Sequence, residues 1–338
     1  MDAGAFVTTP KRPRGARVLS GIKASGTQHV GNYFGALRQF IELQQGNRGT
    51  YFIADYHSMT TITDARERRD FVHAIALDYL GLGLDPAISI LYRQSDLPET
   101  AELTWMLDSV TPKGLLDRAH AYKDAVATGA PVNMGLYNYP VLMAADILIH
   151  RADVVPVGED NKQHVEMARD IAIKFNNAYG EVLTIPDAYI LSEVAVVPGT
   201  DGRKMSKAYE NTIEMFAPDK RLRKQVMGVV TDSTPVEDPK DPDTSNLYLL
   251  WKLFAKADEA AEMAERFRAG GLGYGEVKKD LLARVLEYFG PARERRAELA
   301  RDPASVEDVL RDGARRARET ALALVEDCRE AAGLGPPR

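Results

Sequence analysis

The sequence predicts an α/β protein, a doubly wound parallel sheet with an appended all-helical region. Three observations lead there. Across the first half, short β-rich runs alternate with helical patterns, as strand–helix–strand units require. From Asn246 onward the pattern is helical alone, rich in Ala, Leu, Glu, Lys and Arg. The chain has 338 residues, about twice a typical domain, which fits two packed units.

Taken in order, residues 1–15 read as a flexible tail, with Lys11, Arg12 and Arg14 among prolines and glycines and no apolar run of the kind a secretory signal needs. Arg17 to Ile22 reads as the first strand and Lys23 to Gln28 as a small-residue turn. From Val30, the side chains of Tyr33, Leu37, Ile41 and Gln44 fall on one face, with Phe34 and Phe40 beside them, so a helix is expected up to Gly46. Further strands are expected at Thr50 to Ala54, Ile88 to Arg93 and Val154 to Val157, and helices over about 65–82 and 165–176. Thr231 to Ser245, with its Pro, Asp and Thr, reads as a loop leading into helices divided at Gly270 to Gly273 and at Gly290-Pro291. The expected division is a tail at 1–15, a sheet-bearing domain at 16–210 and a helical domain at 211–338.

Composition narrows the classes. Hydrophobic residues make up 45% and charged residues 27%, as in an ordinary globular protein. Tyr139 to Ile149 is the longest apolar candidate, and Pro140 and Asp146 interrupt it, so no membrane span is expected. Cys328 is the only cysteine, which excludes an internal disulfide or a thiolate metal cluster and fits a reducing, cytoplasmic compartment. A net charge of -6 argues against coating nucleic acid by bulk electrostatics, so such a partner must meet local basic patches.

Two stretches carry chemistry. Ser20 to Tyr33 runs from strand through a glycine-bearing turn to a helix mouth, where backbone N–H groups, His29 and Asn32 are placed to meet a phosphate. A purely structural turn is the competing reading. Gly202-Arg203-Lys204-Met205-Ser206-Lys207 sets two flexible ammonium groups in a polar loop, suited to neutralising a leaving pyrophosphate, or else simply solvated.

The pair His29-Val30-Gly31-Asn32 and Lys204-Met205-Ser206-Lys207-Ala208, about 175 residues apart, resembles the HIGH and KMSKS signatures of class I aminoacyl-tRNA synthetases. The likeness narrows to the bacterial tryptophanyl-tRNA synthetases through Ser20-Gly21, Gly31-Asn32-Tyr33, the run Gly35 to Phe40, the run Leu142 to Leu148, the run Val155 to Asp160 and the run Val230 to Ser233. It extends from about Val18 to near the C-terminus. A Rossmann-like catalytic domain followed by a helical anticodon-binding domain is what this resemblance implies, in agreement with the two halves read from pattern.

By the same resemblance, the substrates are ATP, with magnesium carried on the nucleotide and no protein-held metal, L-tryptophan, and the tRNA for tryptophan, acted on by a homodimer. Lys204, Lys207, His29 and Asn32 are the implied catalytic groups, with Lys23, Gly31, Gly158, Asp160, Met205 and Ser206 also at the ATP. The implied tryptophan pocket comprises Leu19, Gly21, His57, Tyr139, Met143, Asp146, Val155, Val157 and Asn161. Met143 and Asp146 are spaced to share one face of a helix following Tyr139-Pro140, which brings an apolar wall and a carboxylate acceptor to one ring. An indole N–H is a donor only, so a carboxylate suits it. For Asp146 the plain alternative is a surface or ion-paired carboxylate; for Leu19, Val155 and Val157 it is ordinary strand core, and for His57 a structural histidine.

Departures from the family pattern are Lys23 in the first turn, Ala125 where a second lysine would stand beyond Lys123, Asn161 in place of Gln, and Ala208 in place of Ser. They leave open altered ATP handling or altered response to tryptophan-like inhibitors. Transfer RNA is expected to meet Lys220, Arg221, Arg223 and Lys224, or the arginines at 293, 295, 296, 311, 315, 316 and 318. The alternatives are a tyrosyl-tRNA synthetase and a catalytically weakened tryptophan- or RNA-binding regulator. A small-molecule nucleotidyltransferase leaves the long helical region unexplained.

Overall fold

The computed structural model describes residues 13–158, 162–190 and 197–335. In chain order the elements begin with β1 (Arg17–Lys23), α1 (Val30–Asn32), a π turn (Tyr33–Leu37), α2 (Arg38–Leu43), β2 (Arg48–Ala54), α3 (Asp55–Ser58) and α4 (Ala65–Gly81). Then come β3 (Ile90–Arg93), α5 (Glu99–Asp108), α6 (Lys113–Leu116), α7 (His120–Thr128), α8 (Met134–Ile149), β4 (Val154–Val157), α9 (Lys162–Tyr179) and β5 (Asp187–Ile190). The remainder is helical: α10 (Asp219–Met227), α11 (Asn246–Lys252), α12 (Ala257–Ala269), α13 (Tyr274–Leu299) and α14 (Pro303–Ala331).

The strands form one parallel sheet in the order β3-β2-β1-β4-β5. This is the expected α/β fold, and the order reverses between β1 and β4, the place where such sheets open a crevice at the carboxyl ends of their strands. Strands covered on both faces need continuous apolar runs, which β2 supplies with Tyr51, Phe52, Ile53 and Ala54, all buried.

Chain contacts divide the protein into two compact units that do not follow a single cut near residue 210. The first contains residues 1–26, 39–193 and 302–338, and so holds the sheet and α14. Its core joins Leu19, Phe52 and Tyr92 with Val141, Ile147 and Leu148 of α8 and with Ala317, Ala321 and Leu324 of α14. In this unit α14 lies against β3 so closely that a Cβ on Gly313 would stand 1.9 Å from the Leu91 carbonyl oxygen. The second unit contains residues 27–38 and 194–301. Edge-to-face contacts of Tyr33 and Phe34 with Phe254, Tyr288 and Phe289 tie the π turn to the helices around it.

Three local expectations are corrected. The helix after Val30 contains the π turn, so that Leu37 and Gln44 of the expected face are buried while Tyr33 and Ile41 are only half-buried, and Phe34, Phe40 and Leu43 are buried instead. Helix α13 runs through Gly290-Pro291 without ending there. The loss of one hydrogen bond at a proline, about 3 kcal/mol, is outweighed by the unbroken stripe of Leu281, Val285, Phe289 and Ala292 buried along the helix. Pro140 likewise lies inside α8, which begins at Met134 rather than after the proline.

Candidate active site

The described residues implied for the amino acid belong to the first unit, as do Lys23 and Gly158, implied for the nucleotide. Lys23 ends β1, His57 follows β2 on α3, and Gly158 follows β4. Asp146 comes from α8 and is fully buried. An ionised carboxylate in such surroundings needs partners, and it has two. The Gln94 amide nitrogen lies 2.8 Å from each Asp146 oxygen, and the His57 ring nitrogen Nε2 lies 3.0 Å from Oδ2. Burial raises the Asp146 pKa, while the bonds from His57 and Gln94 oppose that shift. The sequence alternative of a surface carboxylate is therefore excluded.

Tyr139 stands one helical turn before Met143, both half-buried. Its hydroxyl lies 2.7 Å from Nε2 of His164, and its ring meets His57 edge-on with centroids 6.1 Å apart. Leu19, Val155 and Val157 are buried members of the sheet core. Gly21 pairs with Phe52 across β1 and β2, and a Cβ there would stand 2.4 Å from the Phe52 ring, which explains the glycine. Lys23 donates to the Thr60 hydroxyl at 3.1 Å, and half-burial lowers its pKa. Ala125 is turned inward on α7. Asp160 and Asn161 lie outside the described residues.

The residues implied for the phosphates fall in the second unit. His29 caps α1, and its Nδ1 accepts from the Asn32 N–H at 3.3 Å while Asn32 Oδ1 accepts from the His29 N–H at 3.2 Å. With Nδ1 accepting, the neutral ring carries its proton on Nε2. Burial first, then the charge of Lys207, lower the His29 pKa to about 4, so the ring is neutral near pH 7.

One expectation fails here. The N–H groups of the helix mouth are not left for an anion: Val30 N–H donates to the Ile213 carbonyl, Gly31 N–H to the Met205 sulfur and Tyr33 N–H to the His29 carbonyl. Any phosphate contact at this element falls to side chains.

Lys204 and Lys207 are exposed, whereas Met205 between them is buried. The loop is held by Asn211, itself buried, whose Oδ1 accepts from Ser206 N–H at 2.8 Å and whose amide donates to Asp201 at 2.7 Å and to the Lys204 carbonyl at 3.1 Å. Asp201 also pairs with Arg203 at 2.6 Å, and that guanidinium stacks over Tyr209. Ser206 Oγ accepts from Ala208 N–H, capping a short turn.

Sequence reasoning missed Gln94, Asn211 and His164. For Gln94 a signal existed: it is the first residue beyond β3, and side chains at that end of an open sheet line its crevice. Nothing local distinguished the other two. Basic residues of α14 are also reassigned. Arg316 donates to the Pro86 and Ser89 carbonyls and Arg318 to Glu99, while Arg311 and Arg315 pair with acids on their own helix, so this set fastens and solubilises α14 within the first unit. In the second unit Arg293 bonds the Met215 carbonyl and Asp219, and Arg221 bonds Glu214.

A doubly wound sheet of this order, with a buried carboxylate beyond the ends of its strands, is the frame of an α/β enzyme that takes its ligand at the switch point. The family model for tRNA synthetases class I (W and Y) matches residues 11–290, and the chain belongs to that family. It is 54% identical to a tryptophan–tRNA ligase of Fusobacterium nucleatum over 94% of this chain and 98% of that protein, and 52% identical to one of Rhodopirellula baltica over 94% and 99%. The crystal structure of tryptophanyl-tRNA synthetase from Campylobacter jejuni complexed with ADP and tryptophan superposes with a TM-score of 0.89 at 47% identity, covering 94% of this chain and all of that one.

Proposed function

We propose that the protein activates L-tryptophan with ATP and then charges the tRNA for tryptophan. The carboxylate of the amino acid attacks the α-phosphorus, the bond to the β-phosphate oxygen breaks, and tryptophanyl-adenylate and pyrophosphate result. A terminal ribose hydroxyl of the tRNA then takes the tryptophanyl group and AMP leaves.

Asp146 carries this reading. A fully buried carboxylate held between Gln94 and His57 on an apolar helix suits an indole N–H, and a pocket that satisfies such a donor discriminates against rings without one. Met143 supplies an apolar wall and Tyr139 faces the ammonium group. Gly21, Leu19, Val155 and Val157 complete the pocket, with Asn161 assigned to it by the family resemblance alone.

For ATP, His29 offers Nε2–H, Asn32 its amide, and Lys204 and Lys207 neutralise charge that develops on the phosphates. Lys23, Gly158 and Asp160 serve the nucleotide, and Met205 and Ser206 hold the loop. Magnesium enters with ATP as part of that substrate. The rate enhancement then comes from alignment and charge stabilisation, with no covalent enzyme intermediate.

For tRNA, the exposed Lys220, Arg223 and Lys224 on α10 supply a local basic face. A homodimer is supported by the large apolar side chains that α5 and α8 expose, Trp105 and Met134, 76% and 72% exposed. Among the described residues no helix is long and apolar enough to cross a membrane, and we place the activity in the cytoplasm. Charging of tRNA with labelled tryptophan tests the whole reading: saturable charging with tryptophan and none with tyrosine is expected, and the reverse contradicts it.

A further inference from the structure

We propose that Gln94 is a positioning residue for indole recognition, fixing the buried Asp146 carboxylate as an N–H acceptor and thereby setting the preference for an indole over a ring of the same shape without the N–H. This rests on the reading of Asp146 given above. Gln94 is fully buried. Its Oε1 accepts from the Tyr56 N–H at 3.0 Å, with the His57 N–H directed at the same oxygen, so the amide has one permitted orientation and its nitrogen must face Asp146. Reversal would set a carbonyl against a carboxylate and an NH2 against two backbone donors.

That nitrogen meets both Asp146 oxygens, 52 residues away in sequence, and so resists rotation of the carboxylate. His57 adds its bond to Oδ2 alone. Between these two donors, Oδ1 therefore keeps the larger unused acceptor capacity. A single amide thus couples the start of α3, which carries His57, to the carboxylate on α8. Asn would be one methylene too short to span the two, and Glu would set a second carboxyl beside the first.

The test compares pyrophosphate exchange by the full-length parent and Gln94→Met, with tryptophan and with 3-benzothienylalanine, in which sulfur replaces the indole N–H. The parent should favour tryptophan. In Gln94→Met the ratio of the two kcat/KM values should fall roughly tenfold or more, carried by a higher KM for tryptophan, while the analogue is used as before. If Gln94→Met does not fold, Gln94→Glu keeps the shape and the Tyr56 acceptor, and the ratio should fall there too. A parent that does not distinguish the two amino acids overturns the Asp146 reading and this proposal with it. A discriminating parent whose ratio survives the substitution, or a variant that loses both substrates equally, overturns the role of Gln94 alone.

Discussion

The backbone N–H of Gly31 donates to the sulfur of Met205 at 3.2 Å, joining the first turn of α1 to the lysine loop inside one compact unit. The two signature stretches, far apart in sequence, are thus one piece of structure. Their relative geometry is set by short contacts: a Cβ on Gly31 would stand 3.1 Å from the Met205 Cβ.

Asn211 is the second fastening of that loop, so Asn211→Ala should leave the Ser206 N–H and the Lys204 carbonyl without their side-chain partner. Displaced lysines cost turnover rather than amino-acid binding, because the implied tryptophan pocket belongs to the other unit. The exchange kcat is expected to fall roughly ten- to hundredfold with little change in KM for tryptophan. A KM effect with kcat preserved would contradict this role for the loop.

Acid should destabilise the protein through two histidines. Burial lowers the pKa of His29 and of His150 to about 4, below the ordinary value of 6.5. Each is neutral in the folded protein and takes up a proton more readily when unfolded. The stabilisation is therefore complete above pH 6.5 and is lost as pH falls toward 4, by up to about 3 kcal/mol for each ring. Urea unfolding at several pH values measures the slope. His29→Asn, which retains a capping acceptor, should remove about half of it, and an unchanged slope would count against the burial argument.

Two glycines in long helices should respond oppositely to alanine. Gly313 has no room, since its Cβ would overlap the Leu91 carbonyl, and Gly313→Ala should cost about 2–4 kcal/mol as α14 is forced from β3. Gly275 faces open space in the first turn of α13, so Gly275→Ala should stabilise by about 0.5 kcal/mol. Thermal unfolding of the two variants beside the parent gives both signs.

What the sequence made legible was local. The His29 and Asn32 spacing put both side chains at one helix mouth, where the structure has them cap each other, and the Met143 and Asp146 spacing forecast a shared helix face. Periodicity did not encode the bonds to Asp146, whose partners arrive from 52 and 89 positions away; Gln94 was marked only by its place at the end of β3 and His57 only by the family resemblance. The same reason hid α14. Its arginines read as an exposed basic face, but the groups that receive Arg318 and Arg316 lie more than 200 residues earlier, at Glu99 and at the Pro86 and Ser89 carbonyls. Pro291 misled in the opposite direction, because a local breaker was weighed without the long buried stripe that overrides it.

Amino-acid-dependent exchange of labelled pyrophosphate into ATP tests the central claim most directly, with tryptophan and tyrosine supplied side by side to the parent and to Lys207→Ala. The account predicts exchange with tryptophan and none with tyrosine, slowed by orders of magnitude in Lys207→Ala while tryptophan still binds. Exchange driven by tyrosine, binding of tryptophan without exchange, or equal rates in the parent and Lys207→Ala would contradict it.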